Sequence, residues 1–288
     1  MRTTLTVILI AVTAALGAPQ VADACTVISV GKEASHDGSV MTSHTCDSHR
    51  TASDLQVVPP GDHPEGATLA LTGRKEDDSG PMERYGRMPT GSIPQVRRTY
   101  GYLAPAYAAM NEHQVAIGES TFEGRKELES AAGIIDCETL TRLMLARART
   151  AREAIDVGTK LIETYGWRDT GEVLTVADPS EVWHLEIIGP GEGKIGAIWA
   201  ARRIPDGHVS VVANASRLRQ LDPKDPDVRM SDNVVSEAVA RGYWDPKSGE
   251  AFEFCMAYNP DGRASVAAHR REWRVLDLLA PSLKLEPG

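Results

Sequence analysis

Cations are the minority in this 288-residue chain: 31 Lys and Arg face 40 Asp and Glu, the net charge is −9, and no stretch gathers the basic residues into a stripe. A nucleic-acid surface needs such a stripe to displace phosphate counterions, so that class of partner is excluded. Beyond residue 24 the chain also lacks any apolar run near the roughly 18 residues that a membrane-crossing helix needs. There is no internal repeat, no low-complexity tail, and no glycine-rich phosphate loop opening a helix, which removes a βαβ nucleotide binder. Cysteine is scarce. The four (25, 46, 137 and 255) allow three full pairings, and nothing in their spacing selects one.

What is present begins with residues 1 to 24. Arg2 forms a short basic start, Leu5 to Leu16 is apolar, and Ala22-Asp23-Ala24 fits the small-x-small rule of signal peptidase. Cleavage after Ala24 predicts an exported protein, periplasmic or extracellular, with Cys25 as its first residue. The remainder, 25–288, is long enough for one large α/β or α+β domain with a full core.

An N-terminal Cys carries nucleophile and base on one residue, because its thiol sits beside an α-amine that ordinarily titrates at roughly 7.7 to 8.0. The amine can take the thiol proton as the sulfur attacks a carbonyl and return it to the leaving amine, with no catalytic His required. Two other uses of Cys25 compete. Lipoprotein processing would acylate it, although Ala22 and Asp23 fit that pathway poorly. An exported protein can also hold the same residue in an ordinary disulfide.

Thr26 to Val30 and Ser39 to Thr45 read as a hairpin whose connection ends in Asp37-Gly38. Pairing about the middle of that loop sets positions summing to about 69 opposite each other, placing Cys25 across from His44 with Asp47 just beyond. From Val58 to about Arg97 the chain shows little periodicity and reads as a rim, a lid or a surface loop. Asn111 to Gln114 turns into a strand over Val115 to Ser120. Asp136 caps a helix with Leu140, Leu143, Met144 and Ala148 on one face, and Thr150 to Glu153 is a capping box for a second helix with Ile155, Leu161 and Ile162 inward and Gly166 as its stop. Four strands over 172–177, 182–188, 194–203 and 209–214 read as an antiparallel meander, and a short helix follows over Asp232 to Arg241. The order points to an α+β layered domain.

His44-Thr-Cys46-Asp47-Ser-His49 is dense in metal ligands. His44 and Cys46 share a strand face, yet the second pair of ligands of a closed zinc site is missing from the chain, so no metal is expected.

Cys25-Thr-Val-Ile-Ser-Val-Gly-Lys-Glu-Ala-Ser-His-Asp37-Gly38-Ser39 with Ser43-His-Thr-Cys-Asp47 closely resembles the start of the secreted cysteine dipeptidases related to dipeptidase A and the secernins, which are N-terminal-nucleophile hydrolases. The resemblance continues through Asn111 to Thr121, Ala177 to Trp183, Ala213 to Arg217, Trp244 to Gly249, and Arg271 to Arg274 and on to Ser282. It implies an αββα sandwich, Cys25 as nucleophile and no cofactor. Related bile-salt and penicillin acylases place an Arg and an Asp three residues apart on the second strand, the Asp holding the nucleophile's amine. Asp47 matches that Asp. His44 stands at the Arg position, a weaker cation for lowering a thiol pKa. By the same comparison Asn214 is the oxyanion donor, worth about 3 kcal/mol, one of Arg271 and Arg274 is the late active-site Arg, and Glu119 and Ser120 line the substrate cleft with His44. Family members continue well past Ser282, so the sandwich is expected to be incomplete at its C-terminal end.

These readings converge on a cysteine dipeptidase acting on short peptides through a thioester acyl-enzyme, with small peptides as partners and oligomers open. The alternatives are an amidase of a non-peptide acyl amide and a non-catalytic lipoprotein or binding module.

Overall fold

The computed structural model describes residues 24–47, 55–74 and 87–287. The expected signal segment, His49, and part of the 58–97 rim fall outside those residues.

The chain opens with β1 (Ala24–Val30), which pairs antiparallel with β2 (Met41–Thr42) and β3 (Thr45–Asp47). β4 (Gln56–Val58) and β5 (Gly61–Asp62) precede a hairpin of β6 (Thr68–Arg74) and β7 (Arg87–Pro94). β8 (Arg98–Thr99), β9 (Tyr102–Ala104) and β10 (Met110–Asn111) lead to the long β11 (Ala116–Glu123). Two helices follow, α1 (Cys137–Arg147) and α2 (Ala151–Tyr165), then β12 (Gly171–Ala177), β13 (Val182–Ile188), β14 (Ile198–Arg203), β15 (Val209–Val212) and β16 (Val228–Met230). The helices α3 (Val234–Ala240), α4 (Phe254–Tyr258) and α5 (Val266–Leu279) come last.

The strands build a mixed α/β protein with antiparallel sheets. A large sheet runs β16-β14-β13-β12-β11-β10-β9-β4, and a small one runs β15-β1-β2 with β3 also on β1. Asp136 caps α1 by accepting from the Thr139 N–H at 2.8 Å, and Thr150 caps α2 by accepting from the Glu153 N–H at 3.2 Å. Glu153 reaches back one residue further than a capping box prescribes, to the Arg149 N–H. The faces these caps orient bury Leu140, Met144, Ile155 and Ile162 against Leu174, Val176, Trp183 and Leu185 of the large sheet. Each such side chain contributes roughly 1.5–3 kcal/mol of burial.

The other core joins the two sheets: Val27 and Val212 of the small sheet pack with Val173, Ile198 and Ala200 of the large one. Their approach is closest at Gly118, where a Cβ would meet the Ser43 carbonyl oxygen and Thr175 Oγ1 at 2.9 Å. Only glycine leaves room there for the small sheet to sit on β11. Thr42 Oγ1 and Thr175 Oγ1 then meet at 2.7 Å.

Three expectations change. The hairpin register sums to 71, not 69, because β1 ends at Val30 and the chain after it bonds elsewhere, the Gly31 N–H to the His208 carbonyl. A two-residue slip preserves the face of every side chain but sets Cys46, not His44, opposite Cys25. The 58–97 segment contains strands β5 to β7 rather than an irregular rim. And β15 leaves the meander: the turn after β14 accepts the Glu33 and Ala34 N–H groups on the Asp206 carbonyl, carrying the chain to β1, while β16 takes its place beside β14.

Candidate active site

Strand alternation turns Cys25 inward with Val27 and Ser29, leaving it 7% exposed. Its Sγ donates to Glu119 Oε1 at 3.2 Å, and the same oxygen lies 3.1 Å from His44 Nε2. Glu119, 1% exposed on β11, is an anion. Burial works against its charge, but the hydrogen bond and charge of His44, then the bonds from Cys25 and Glu172, bring its pKa below the usual carboxylate value. Glu172 goes the other way: burial and the Glu119 charge push it well above that range. Its Oε1 accepts from Thr121 Oγ1 at 2.7 Å. Their environments thus push the two buried carboxyls apart, Glu119 toward the anion and Glu172 toward the acid. Cys25 itself is a neutral thiol in this setting, its pKa raised by the hydrogen bond with Cys46, by burial and by the Glu119 charge.

The backbone of Cys25 is held from the opposite side. Asn214, with φ 56 in the left-handed region that Asn tolerates, follows β15 directly. Its Oδ1 accepts from the Cys25 N–H at 2.9 Å and from Arg271 Nη1 at 3.0 Å, while its Nδ2 donates to the Thr121 carbonyl at 2.6 Å. Arg271, on α5, also donates to the Cys25 carbonyl at 2.7 Å, to Thr26 Oγ1 at 3.1 Å and to the Ala213 carbonyl at 3.0 Å. Ser120 Oγ accepts from the Asn214 N–H at 2.9 Å and donates to the Cys25 carbonyl at 3.4 Å.

The turn carrying Asn214 has its own anchor. Buried Glu186 of β13 accepts from the Ser216 hydroxyl and from the N–H groups of Arg217 (2.6 Å) and Leu218 (3.0 Å). Burial pushes its pKa up to about 7 even though those three donors pull it down. Asn259 adds a second tie, accepting from the Ser216 N–H at 3.0 Å and donating to the Phe122 carbonyl at 3.0 Å.

Of the residues singled out in the sequence, Cys25, His44, Glu119, Ser120, Asn214 and Arg271 converge. Arg274 does not: it is exposed on α5 and pairs with Asp277 at 2.8 Å. Asp47 is exposed and sits opposite Ala24, so with Ala24 attached it is Asn214 that meets the residue 25 nitrogen. Asn214 is held in one orientation, because the two donors on Oδ1 fix the amide and the Thr121 carbonyl takes one of the two Nδ2 hydrogens. Glu119 and Ser120 are buried beneath the thiol rather than along an open cleft. None of the four cysteines forms a disulfide. The second pair of metal ligands missing from the linear sequence is supplied in space: ligand atoms of Cys25, His44, Cys46 and Glu119 all lie within 4.8 Å of one another.

Sequence reasoning missed Glu172 and Glu186. Glu186 left a signal, a lone carboxylate inside the otherwise apolar run Val182–Ile188 apart from His184. Glu172 left none, because only the β11–β12 pairing brings it to Thr121.

The model of Peptidase family C69 matches residues 24–288. Similar proteins include a "Probable dipeptidase" of Salmonella dublin, 28% identical over 92% of this chain and 60% of that protein. A "Probable dipeptidase" of Latilactobacillus sakei is 27% identical over 92% of this chain and 54% of its own length. "Dipeptidase A" of Lactobacillus helveticus is 29% identical over 70% of this chain and 43% of its own. The chain thus spans about half the length of the curated relatives it matches.

Proposed function

This chain belongs to peptidase family C69, and on that premise we propose that it is an exported cysteine dipeptidase whose nucleophile is Cys25, freed as an N-terminal residue by cleavage after Ala24. The observation that carries the reading is the grip on residue 25: Asn214 Oδ1 on its nitrogen, Arg271 on its carbonyl and Glu119 on its thiol. Ordinary disulfide or core cysteines need no such set of polar partners on nitrogen, carbonyl and sulfur together.

In the processed protein the α-amine takes the thiol proton as Sγ attacks the peptide carbonyl. The tetrahedral adduct collapses to a thioester as the protonated amine gives its proton to the departing amino group. Water then hydrolyses the thioester with the amine again as base. Asn214 orients the amine through Oδ1, and Glu119 orients the thiol. Asp47 gains its role on cleavage: with Ala24 gone, its carboxylate stands one strand position from the new terminus and holds the amine. Residues 25–288 form one N-terminal-nucleophile hydrolase domain, and we read its layers as an αββα sandwich: α1 and α2, the large sheet, the small sheet, and α5. The inter-sheet core and the bonds of Arg271 to the end of β15 support that order.

The test is a panel of dipeptides and acyl amides given to the processed protein, with intact mass read first. A start at unmodified Cys25, dipeptide turnover, and its abolition in Cys25→Ala are expected. Near-normal turnover in Cys25→Ala would sink the mechanism, a diacylglyceryl adduct would make Cys25 an anchor, and turnover of acyl amides alone would make the protein an amidase.

A further inference from the structure

We propose that Cys25, His44, Cys46 and Glu119 form a closed four-ligand site for a borderline-soft divalent cation of the Zn²⁺ type, and that occupancy of this site silences the nucleophile. Two thiols, an imidazole and a carboxylate are a donor set that suits Zn²⁺ and disfavours Ca²⁺ or Mg²⁺, which take oxygen. The ligands come from β1, the link between β2 and β3, β3, and β11, so the stacking of the sheets builds the site and no local motif does.

The spacing fits. Zn–S bonds near 2.3 Å and Zn–N or Zn–O bonds near 2.0–2.1 Å in a tetrahedron set ligand atoms roughly 3.3–3.8 Å apart. Glu119 Oε1 already stands 3.2 Å from Cys25 Sγ and 3.1 Å from His44 Nε2. All four ligand atoms lie within 4.8 Å of one another, so closing on a cation takes rotamer adjustments rather than a backbone shift. Register adds to this: Cys25 and Cys46 are direct cross-strand partners. Glu172, whose Oε1 accepts from Thr121 Oγ1, lies beside the Glu119 carboxylate where an outer-shell partner would stand. His44 and Cys46 are part-exposed and give the cation its way in, while Cys25 and Glu119 close the floor.

A bound divalent cation would be the largest local charge in the site and would deprotonate a coordinating thiol. Binding takes Cys25 and Cys46 as thiolates, His44 as neutral imidazole and Glu119 as carboxylate, so protons are released to solvent. Affinity therefore climbs with pH. Four protein ligands leave no open position, so the cation sequesters the sulfur instead of activating a water.

The experiment uses the processed chain under a phosphine reductant, with Zn²⁺ titrated against a chromophoric chelator and Co²⁺ substituted as a spectroscopic probe. One Zn²⁺ per chain is expected, with a thiolate-to-Co²⁺ charge-transfer band in the near ultraviolet and tetrahedral d–d bands in the red. Cys46→Ser and His44→Gln, with far-UV circular dichroism unchanged, should each weaken Zn²⁺ by more than the roughly 10–100-fold that losing an outer-shell partner costs. Sub-stoichiometric binding by the native chain, a Co²⁺ spectrum without thiolate bands, or undiminished affinity in both variants overturns the site. Silencing of turnover rests on the reading of Cys25 as nucleophile, whereas the binding and spectra do not. Stoichiometric Zn²⁺ with full turnover thus refutes the silencing, and turnover that requires Cys25 without Zn²⁺ binding refutes the site alone.

Discussion

Replacing Glu186 by Gln tests whether a buried charge under the Asn214 turn costs the protein stability at neutral pH. The folded pKa of Glu186 is pushed from 4.5 up to about 7 by burial. The folded state then binds more protons than the unfolded one between those values, so this residue makes stability fall as pH rises from about 4.5 to about 7. At about 1.36 kcal/mol per pKa unit the loss approaches 3 kcal/mol above pH 7. Gln cannot ionise, keeps an oxygen for the Arg217 and Leu218 N–H groups, and turns its amide to a Ser216 hydroxyl free to accept. Urea unfolding curves of wild type and Glu186→Gln should therefore nearly coincide at pH 4 and separate above pH 7, the variant being more stable by up to about 3 kcal/mol. In thermal melts of a chain this size that is roughly 6–12 °C. A difference that stays constant across pH would refute the linkage and show Glu186 ionised throughout.

Glu119→Gln should let the Cys25 thiol ionise at lower pH, because two unit charges 3.2 Å apart repel by about 5 kcal/mol at an effective dielectric constant of about 20. Alkylation of Cys25 followed by peptide mass mapping should show a midpoint lower by at least about one unit, and an unchanged or higher midpoint counts against the assigned anion. Arg271→Ala removes donors to the Cys25 and Ala213 carbonyls and to Asn214, and should cost about 1–3 kcal/mol in urea unfolding along with most dipeptide turnover. Arg274→Ala should stay within about 0.5 kcal/mol with native turnover, since it loses only an exposed ion pair. Equal effects of the two would remove Arg271 from the site.

What the sequence made legible is what local order encodes. The thiol, the hairpin, both helix caps and the polar cluster after β2 are carried by contiguous residues, and the structure holds each of them. The register was not, because ten loop residues between β1 and β2 leave the pairing to contacts with the 205–208 turn, far along the chain. The same turn sends β15 to the small sheet, a choice on which its own apolar pattern is silent. Arg271 and Arg274 are equivalent in sequence and separate only when α5 docks against β15. The acid pair of Glu119 and Glu172 spans two strands with two helices between them in the chain, so no spacing rule could join them.

Those long-range contacts also bear on how cleavage after Ala24 would switch the chemistry on. Before cleavage the residue 25 nitrogen is an amide, a donor with no lone pair to lend, and it is satisfied by Asn214 Oδ1. An amine in its place can still donate to that oxygen, so the partners of residue 25 need not move; what changes is that the nitrogen can now accept a proton. Arg271 donates to the same Oδ1 at 3.0 Å and to the adjoining carbonyl at 2.7 Å, so a cation faces the amine at close range and disfavours its ammonium form. Asp47 pulls the opposite way from an exposed position where water screens it. The nearer, part-buried charge of Arg271 would outweigh it and favour the neutral amine that can serve as base.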